Sequence, residues 1–367
     1  MVKRVMQTPV RFHPFHGGVE KYVLELSKKL VELGNEVTVV CADEPHSEAR
    51  TVNGIKVIRL PYIAKVANTN ITPRLLRVLM QESFDVIHTH IPTPWSADIS
   101  ALVSILKRKP LCVTYHNDLT GQGIAGIIAR IYNLTFLRLV LMRAKTIVVT
   151  QPKYVEYSSH LKLHKRKIMI IPPGVVEATY SSGLDRKPYH LFFMSVLDKH
   201  HDYKGLDILL RAMTEVKAKR PGVRLLVGGG GESIGKYRQL SEQLGIADSV
   251  EFLGVLSDQD LADTYRTSSI FVLPSLNKLE GFGIVALEAL SFGTPVITTR
   301  VAGSSDFIEK NHAGLIVPPA DITALAEAIL ALLDDEGEAR MMGERGAMAV
   351  NNEFSWGRIV QKMVGAY

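Results

Sequence analysis

The chain has 367 residues, 46% of them hydrophobic and 22% charged, which is typical of a globular protein with more than one domain. Its first residues, MVKRVMQTPV, lack the apolar core of a signal peptide, and no run of about 18 apolar residues is present to span a bilayer. Cys41 and Cys112 lie in apolar strand-like segments, which indicates buried free thiols rather than a disulfide framework or a zinc site. We therefore expect a cytoplasmic protein.

The net charge of +6 conceals an asymmetry between the two halves of the chain. Residues 1–172 carry 24 Lys and Arg against 12 Asp and Glu, whereas the remainder carries 19 against 25. A basic half attracts anionic partners such as a phosphate, a nucleic acid or a lipid surface. The first half is therefore predicted to meet an anionic partner.

Strand-like and helical segments alternate along the first half of the chain. Residues 19–33 have the period of an amphipathic helix, with Val23, Leu26 and Leu30 on one face. Val- and Ile-rich runs that alternate with helices are typical of a parallel sheet covered on both faces. The predicted strands of this half are KRVMQ, EVTVVC, KVIRL, DVIHTH, LCVTYH, TIVVT and KIMII.

The Pro-, Gly- and Ser-rich stretch at residues 170–188 interrupts this pattern and is the predicted linker. A second series of strands follows it, namely LFFMSV, VRLLVG, VEFLG, IFVLP, PVITT and GLIVP. We predict an α/β protein with two doubly wound, Rossmann-like domains, over residues 1–172 and 178–352. Ligands bind such sheets at the carboxyl ends of the strands, so a central cleft faced by both domains is the expected site.

The segment LEGFGIVALEA, residues 279–289, places two glutamates around a strand-to-helix junction. A helix is predicted to begin near Phe282 and Gly283, where free N–H groups and the helix dipole attract a phosphate and glycine lets it come close. Glu288, in the second turn, could then accept hydrogen bonds from a ribose diol, and Glu280 could hold sugar hydroxyls. The alternative is that Glu280 only favours the helix dipole and Glu288 is a solvated helix residue.

Three further loops with glycine or lysine follow predicted strands. Lys204 precedes a helix, where a cation is unfavourable for the dipole, and this indicates an anionic ligand. Gly229 and Gly230 belong to a run of four glycines that lets the backbone approach a ligand. The run lacks the spacing of the dinucleotide fingerprint, which disfavours a nicotinamide-dependent dehydrogenase. Gly17 and Gly18 form a second phosphate cradle before the first helix.

Histidines and aspartates raise the question of a metal site. His116 ends a strand in a polar HND cluster, at the edge of the sheet where function usually lies. His88 and His90, in HTH, have no further ligand at suitable spacing beside them, which favours a strand-end histidine pair over a zinc site. The DQD segment that begins at Asp258 is interpreted as a helix N-cap with an acidic first turn.

Together these segments resemble the retaining glycosyltransferases of family four, also called group 1, which have the GT-B fold and transfer a sugar from a nucleotide donor. The resemblance covers nearly the whole chain. The terminal FSWGRIVQKMV resembles the last helix of that fold, here about residues 353–367, which crosses back onto the first domain. The other matching motifs, in the family's order, are GGVEKYVLEL, FDVIHTH, TYHND, IPPGV, YKG, VGGGGE, VEFLGVLSDQDLADTY, PSLNKLEGFGIVALEALSFGTPVITT and AGLIVPPAD.

The resemblance implies a role for each matching position. The catalytic set would be His116, Lys204 and Glu280. His116 would contact the donor sugar near the reaction centre, and Glu280 would hold that sugar. Lys204 would neutralise the diphosphate. Glu288 would bind the ribose and Leu256 would line the base pocket. The full donor-binding set is Gly17, Gly18, Lys199, Gly229, Gly230, Leu256, Phe282, Gly283, Ile284 and Glu288. We expect a UDP- or GDP-sugar as the donor.

The chain departs from the family pattern at one position. In many members of the family an arginine follows the first strand of the second domain, and it contacts the diphosphate together with the lysine of the KG motif. In this chain the corresponding segment is FFMSVLD, and Val196 occupies the position of that arginine. Lys199, His200 or His201 could supply the missing charge.

No metal or other cofactor is expected. Breaking the sugar–phosphate bond leaves negative charge on the diphosphate, and fixed cations with helix N-termini stabilise that charge, a single donor contributing roughly 2.7–4 kcal/mol. The nucleotide sugar is then a co-substrate of a metal-independent enzyme.

Residues 124–144 are very apolar but carry Arg130, Arg138 and Arg143. A buried crossover helix is one interpretation. The other is a helix at a membrane interface, with arginines at the headgroups of anionic lipids, supported by the basic clusters at 107–109 and 165–167. Nucleic acid is not predicted, because no aromatic stacking platform or known motif accompanies the charge. We therefore expect a lipid-linked or membrane-proximal acceptor and a peripheral location on the cytoplasmic membrane face.

Two other functions stay open at this stage. One is a nucleotide-sugar epimerase or hydrolase of the same fold. The other is a degenerate, non-catalytic protein that binds a sugar nucleotide or a membrane partner, for which Val196 is the main support.

Overall fold

The computed structural model describes residues 3–15, 17–66, 69–119, 123–175 and 186–367. The chain divides into two compact units, which are Met1–Gly174 together with Trp356–Tyr367, and Val175–Ser355. The helix that ends the chain thus belongs to the first unit. Each unit has its own parallel sheet.

The first unit contains ten of the described strands. Along the chain, most of its helices lie between consecutive strands. Its strands are β1 (Arg4–Thr8), β2 (Glu36–Ala42), β3 (Thr51–Val52), β4 (Ile55–Leu60), β5 (Ala64–Val66), β6 (Thr69–Ile71), β7 (Val86–Ile91), β8 (Leu111–Tyr115), β9 (Thr146–Val149) and β10 (Ile168–Ile170). Its helices are α1 (Gly18–Glu32), α2 (Leu75–Gln81), α3 (Ser96–Leu106), α4 (Gly123–Leu134), α5 (Phe136–Arg143) and α6 (Pro152–Tyr157), with a 3-10 turn at Lys162–Lys167.

The eight-stranded sheet of this unit has the order β10-β9-β8-β7-β1-β2-β4-β3 and is parallel except where β3 pairs with β4. All seven strands predicted from the sequence are confirmed. The short strand β3 and the antiparallel hairpin β5–β6 were not predicted, because their two- and three-residue strands are too short to show a period.

Apolar side chains cover both faces of this sheet. Leu26 and Leu30 of α1 pack on one face, together with Ile359 and Met363 of the last helix of the chain, Trp356–Ala366. Helices α3 and α5 pack on the other face, where Val140 and its neighbours are buried. Burial on both sides explains why the strands have continuous apolar runs instead of alternating ones.

The second unit repeats the α/β pattern. Its strands are β11 (His190–Met194), β12 (Arg224–Gly228), β13 (Val250–Gly254), β14 (Ile270–Leu273), β15 (Val296–Thr299) and β16 (Gly314–Val317). Its helices are α7 (Leu206–Lys219), α8 (Ile234–Gln243), α9 (Asp258–Thr267), α10 (Ile284–Ser291), α11 (Ser305–Lys310), α12 (Ile322–Asp334) and α13 (Glu336–Phe354), with 3-10 turns at Asp202–Lys204 and Ala247–Ser249; the last helix of the chain, Trp356–Ala366, is α14.

The sheet of the second unit is parallel throughout, with the order β13-β12-β11-β14-β15-β16. The predicted doubly wound sheet is therefore confirmed, because this is the strand order of nucleotide-binding Rossmann domains. The direction of winding reverses between β11 and β14. Ligands bind such sheets outside the carboxyl ends of the strands at this point.

Candidate functional site

Two loops meet where the winding of the second sheet reverses. One follows β11 and ends at Gly205, and the other follows β14 from Pro274. The N–H of Leu276 donates to the carbonyl oxygen of Tyr203 at 2.8 Å, which ties the loops together. Gly205 has φ 78°, and a Cβ there would lie 2.2 Å from the Pro274 carbonyl oxygen. Only glycine fits this position, because a side chain would both strain the backbone and separate the loops.

Lys204 and Glu280 form an ion pair at this point, which the sequence did not reveal. The Lys204 Nζ donates to Glu280 Oε1 at 2.8 Å and lies 2.7 Å from Oε2. Ser275 Oγ donates to the same carboxylate at 2.7 Å. Glu280 is only 3% exposed, so the carboxylate that was expected to hold sugar hydroxyls is buried beneath the lysine. The pair fixes the ammonium group of Lys204, which is the more exposed partner, at the carboxyl end of the sheet.

Helix α10 begins at the same loop. Its N-cap is Gly283, with φ 75°, and its first residue is Ile284. The first N–H groups of a helix have no intrahelical acceptor and carry the positive end of the dipole, so this terminus can bind an anion. The ring of Phe282 packs on Phe354, with ring centroids 5.5 Å apart, which leaves its backbone as the group that can meet a ligand.

Glu288 lies in the second turn of α10, as predicted, and is partly buried. The hydroxyl of Tyr265, a fully buried residue of α9, donates to Glu288 Oε2 at 3.2 Å. Burial raises the pKa of Tyr265, and the carboxylate of Glu288 adds to this, so the phenol keeps its proton and remains a donor. The alternative that Glu288 is a freely solvated residue is therefore wrong, because a buried phenol orients its carboxylate.

The glycine run after β12 has a reason within the fold, in addition to the approach of a ligand that was expected. A Cβ at Gly229 would lie 1.7 Å from the Ser195 carbonyl oxygen, and one at Gly231 would lie 2.1 Å from that of Leu197. The two glycines have φ 115° and 152°. They are therefore required by the adjacent backbone of the loop after β11, whatever ligand binds. A Cβ at Gly230 would meet a side-chain atom of Val255 at 2.7 Å.

The loop after β11 carries the residues that could replace the absent arginine. Val196, at that position, is half exposed. His201 Nδ1 lies 2.8 Å from Asp198 Oδ1, and this carboxylate also accepts from the backbone N–H groups of His200 and His201. His201 is thus engaged by a carboxylate, whereas the side chains of Lys199 and His200 are exposed.

The DQD segment begins α9, but its cap lies one residue earlier than predicted. The N-cap is Ser257, whose Oγ accepts from the N–H of Asp260 at 3.1 Å, and Asp258 and Asp260 form the acidic first turn. Serine is as good a cap as aspartate, so spacing alone did not distinguish them. Leu256, just before this cap, is partly buried in the core of the unit.

The first unit brings three histidines together near the ends of β7 and β8. His90 Nδ1 lies 3.2 Å from His116 Nε2, and His90 Nε2 lies 3.0 Å from the Gln7 side-chain oxygen. His88 lies beside His90, with ring centroids 4.6 Å apart, and contacts the Tyr367 hydroxyl at 3.0 Å. The histidine pair is thus within β7 and linked to His116, a partner that the sequence analysis missed. Among the residues that the structure describes, no group of three His, Cys, Asp or Glu could hold a metal ion.

The hydrogen bonds of this cluster define the state of His116. Burial lowers the pKa of His116 to about 4 and that of His90 well below its ordinary value, so both rings are neutral. The Gln7 oxygen accepts a proton from His90 Nε2, so His90 Nδ1 must accept from His116 Nε2. His116 therefore presents an unprotonated Nδ1.

The glycine pair before α1 is less open than predicted. Gly17 is the N-cap of α1, and a Cβ there would lie 2.2 Å from Glu20 Oε2, whereas a Cβ at Gly18 would meet nothing. Glu20 is buried in the first turn beside Arg11, and burial raises its pKa. A carboxylate of the chain itself therefore lies at this helix N-terminus, and a side chain at position 17 would displace it.

Residues 124–144 are not one buried crossover helix. They form α4 and α5, which break at Thr135, whose Oγ1 donates to the Ile131 carbonyl at 2.8 Å. Such side-chain bonds to the preceding turn compete with helix continuation. The inner face is buried, but Ile127, Ile128, Ile131, Leu134, Phe136, Leu139 and Met142 are each more than half exposed.

The basic residues of this region have two different roles. Arg130 and Arg138 are exposed and form no ion pair within the described ranges. Arg143, in contrast, donates to the carbonyls of Ser104 and Lys109, at 2.9 and 3.0 Å, where α3 ends. The expectation that all three arginines serve lipid headgroups is therefore wrong for Arg143. No helix in the part of the chain that the structure describes is long and apolar enough to cross a membrane.

Two Rossmann-like units, each with polar and glycine residues at the carboxyl edge of a parallel sheet, are the architecture of the GT-B class of sugar-transferring enzymes. The solved structure of the glycosyltransferase WaaG shares this fold, with a TM-score of 0.71 at 16% identity over 98% of each chain. The family model of group 1 glycosyl transferases matches residues 178–348, and that of Glycosyltransferase Family 4 matches residues 16–178. The chain belongs to this family of glycosyltransferases, and it transfers a sugar from a nucleotide-sugar donor to an acceptor.

Relatives and solved structures agree with this assignment. The chain is 27% identical over 332 residues to a phosphatidyl-myo-inositol mannosyltransferase of Mycolicibacterium smegmatis. The aligned region covers 87% of this chain and 82% of that protein. It is also 27% identical to the O-antigen chain mannosyltransferase C of Escherichia coli, over 99% of this chain and 98% of that protein. The Anabaena protein HepE, in a complex with UDP and glucose, has the same fold, with a TM-score of 0.78 at 16% identity over 99% of this chain and 98% of that one.

Proposed function

We propose that this glycosyltransferase moves a hexose, with retention of configuration, from a nucleoside-diphosphate sugar to a lipid-linked acceptor at an anionic membrane surface. The observation that carries the donor half of the proposal is the buried Lys204–Glu280 pair beside the N-terminus of α10. A fixed ammonium group and a helix N-terminus at one sheet edge form an anion site that is in place before the substrate arrives. HepE binds UDP at a site of the same fold, which supports a nucleoside diphosphate as this anion.

The residues of the second unit have distinct roles in the proposal. Lys204 and the first N–H groups of α10, from Ile284, bind the diphosphate and stabilise the charge that grows on it. Glu280 acts through Lys204, which it orients, and Glu288 accepts from the ribose hydroxyls. Lys199 supplies the charge that Val196 cannot. No metal is needed in this scheme.

The first unit supplies His116 and the acceptor side. In the reaction, the bond from the anomeric carbon to the diphosphate oxygen breaks and its electron pair leaves with the nucleoside diphosphate. The acceptor hydroxyl oxygen bonds to the anomeric carbon, and its proton passes to the departing diphosphate. The unprotonated Nδ1 of His116 is an acceptor for a hydroxyl of the transferred sugar. Gly18 is proposed to approach the diphosphate through its backbone.

The acceptor half of the proposal depends on the surface of α4 and α5. Exposed apolar side chains beside the exposed Arg130 and Arg138 suit an interface between lipid chains and anionic headgroups. The excess of basic residues in the first half of the chain adds a long-range attraction to such a surface. One relative is named for mannosyl transfer to phosphatidyl-myo-inositol, which supports a lipid as the acceptor.

A transfer assay tests the function as a whole. UDP- and GDP-sugars are first screened for thermal stabilisation of the protein, and release of the nucleoside diphosphate is then measured with phospholipid acceptors in anionic and in neutral vesicles. We expect release that needs the acceptor, is faster on anionic vesicles and continues in EDTA. Acceptor-independent hydrolysis, an epimerised sugar, or full loss in EDTA with recovery on adding magnesium or manganese would contradict the proposal.

Glu288→Gln is expected to weaken binding of the free nucleoside diphosphate by about 10- to 100-fold, because a hydrogen bond to a charged group contributes about 1.5–3 kcal/mol. Calorimetry measures the affinity. Tyr265→Phe is the matched variant, since it removes only the phenol that orients the carboxylate, and it should have a smaller effect. Equal affinity in Glu288→Gln and the unmodified protein would exclude a ribose-binding role.

A further inference from the structure

Polar side chains form a row across one face of the sheet in the first unit. Strands β1, β7 and β8 lie side by side there, and their register pairs Gln7 with His88 and His90 with Thr114. Because alternate residues of a strand face the same side, His88 shares its face with His90, and Thr114 shares its face with His116, which follows β8. Contacts among these five side chains place all of them on one face, and we call them the polar row.

The polar row does not add to stability as apolar side chains would. Gln7, His88 and His90 are each 0% exposed, and Val5 and Val86, two residues earlier on β1 and β7, belong to the apolar core of the unit. Hydrogen bonds between buried polar groups do little more than offset the cost of removing those groups from water. Such a network is retained where it holds its members in one arrangement. The polar row therefore indicates a requirement other than stability.

Gln7 joins the two parts of the row, because its amide has an acceptor at one atom and donors at the other. Its Oε1 lies 3.0 Å from His90 Nε2, and its Nε2 donates to the hydroxyl of Tyr367 at 3.4 Å. The phenol lies 3.0 Å from His88 Nδ1, and His88 Nε2 lies 2.7 Å from Thr114 Oγ1. With this orientation of the amide, the phenol donates to His88 and His88 donates to Thr114, so each contact has one donor and one acceptor.

The orientation of the Gln7 amide decides which nitrogen of His116 carries the proton. The Gln7 oxygen places the proton of His90 on Nε2, so His90 Nδ1 accepts from His116 Nε2, 3.2 Å away. The ring of Tyr22 packs against His116 at 83°, with centroids 5.2 Å apart, which holds the plane of the imidazole. His116 Nδ1 is then an acceptor that is fixed both in protonation and in direction.

We propose that Gln7 is a positioning residue for sugar transfer, which acts through His90 to keep His116 Nδ1 unprotonated and thereby selects a donor sugar with a hydroxyl at that atom. The inference rests on the proposed contact between His116 and the transferred sugar. A fixed acceptor binds only a group that donates, so a hydroxyl satisfies it and a methylene leaves it unpaired in a buried site. The tautomer of His116 thus determines which sugars are good substrates.

Nitrogen NMR of the protein with ring-labelled histidine tests the tautomer without any substrate. The signals of His116 are identified by their loss in His116→Gln. We expect a proton on Nε2 and none on Nδ1 in the unmodified protein. Gln7→Met removes both amide groups at similar volume, so the Nδ1 signal should move towards that of a protonated nitrogen. A proton on Nδ1 in the unmodified protein would mean that the amide has the opposite orientation, and would overturn the inference.

Transfer kinetics test the selection of the sugar. The substrates are the nucleotide sugar found by the screen of UDP- and GDP-sugars and its monodeoxy analogues, one for each hydroxyl. In the unmodified protein, loss of the hydroxyl at His116 should lower kcat/KM by about 3- to 10-fold, as expected for one neutral hydrogen bond. In Gln7→Met the complete sugar should lose a similar factor and that deoxy analogue almost nothing, so the discrimination disappears. Affinity for the free nucleoside diphosphate, which lacks the sugar, should not change.

Thr8→Val is the matched control on the same strand. Thr8 is also 0% exposed, and its hydroxyl contacts the His88 carbonyl at 3.3 Å and Ser100 Oγ at 2.9 Å, outside the polar row. This variant should lower stability but leave the tautomer of His116 and the discrimination unchanged, and an equal loss of discrimination would assign Gln7 a structural role only. If Gln7→Met does not fold, Tyr367→Phe removes the hydroxyl that orients the amide, and a smaller shift in the same direction is expected.

The inference and the proposed function fail in different ways. Transfer by Gln7→Met with the discrimination intact would overturn the inference and leave the glycosyltransferase mechanism standing. Absence of transfer from every nucleotide sugar tested would overturn the proposed function and, with it, the selection of the sugar, whichever tautomer NMR shows.

Discussion

Replacing Lys204 by methionine is expected to lower kcat by about 10²- to 10³-fold, because the diphosphate loses the fixed charge that stabilises it as the sugar leaves. The same change should lower the free energy of unfolding of the second unit by about 3–5 kcal/mol. Glu280 is 3% exposed and would remain as a buried carboxylate without its cation. Steady-state transfer kinetics and denaturant unfolding followed by circular dichroism measure the two effects.

A double variant separates the two effects of Lys204. Adding Glu280→Gln to Lys204→Met removes the uncompensated charge, so most of the lost stability should return while kcat stays low. Lys236→Met is the control, since its pair with Asp202 has the same 2.8 Å geometry but is exposed at both ends, and such pairs contribute at most about 1 kcal/mol. Recovery of kcat in the double variant would show that Lys204 affects catalysis only by stabilising the fold, and not by contacting the diphosphate.

The architecture was predictable because it depends on local patterns. Thirteen strand-like runs were read from the sequence, and each is a strand, since both faces of a parallel sheet require Val-, Ile- and Leu-rich segments. The hairpin β5–β6 escaped notice because AKV and TNI are short and carry no alternation. The break between α4 and α5 was also missed, since neither proline nor glycine marks Thr135.

The candidate site was predictable as a set of positions but not as a set of contacts. Lys204 and Glu280 are 76 residues apart, and only the reversal of winding between β11 and β14 brings their loops together. The same holds for His90 and His116, which the neighbouring strands β7 and β8 place side by side. No feature of the sequence indicated that Tyr265 contacts Glu288, because a tyrosine on the inner face of an amphipathic helix has the pattern of an ordinary core residue.

The glycine run shows how a motif can be recognised while one of its causes stays hidden in the sequence. Gly229 was predicted to let a ligand approach, but its φ of 115° and its contact with the Ser195 carbonyl make glycine necessary without any ligand. A pattern of glycines shows that something comes close to the backbone. Whether that is a ligand or another segment of the chain depends on tertiary structure.

The stability of the first unit is expected to fall as the pH drops from about 6.5 towards 4. Burial lowers the pKa of His88 to about 3, that of His116 to about 4 and that of His90 well below 6.5. In this window the unfolded chain takes up protons that the folded unit excludes. The stabilisation from each neutral histidine is therefore complete above the pKa that histidine has in the unfolded chain. It is lost as the pH falls from that value towards the lower pKa in the folded unit, at up to about 1.4 kcal/mol per pH unit.

Removing one buried histidine should make this dependence less steep. Both tryptophans lie in the first unit, so tryptophan fluorescence follows the urea unfolding of that unit alone. His88→Gln should reduce the slope of the free energy of unfolding against pH between 6.5 and 4, whatever its effect on stability at pH 7. His46→Gln is the control with the opposite sign, because Asp43 raises the pKa of His46 and its contribution is lost as the pH rises. An unchanged slope in His88→Gln would mean that the buried cluster admits protons in the folded state, and the neutral tautomers assigned to His90 and His116 would then be wrong.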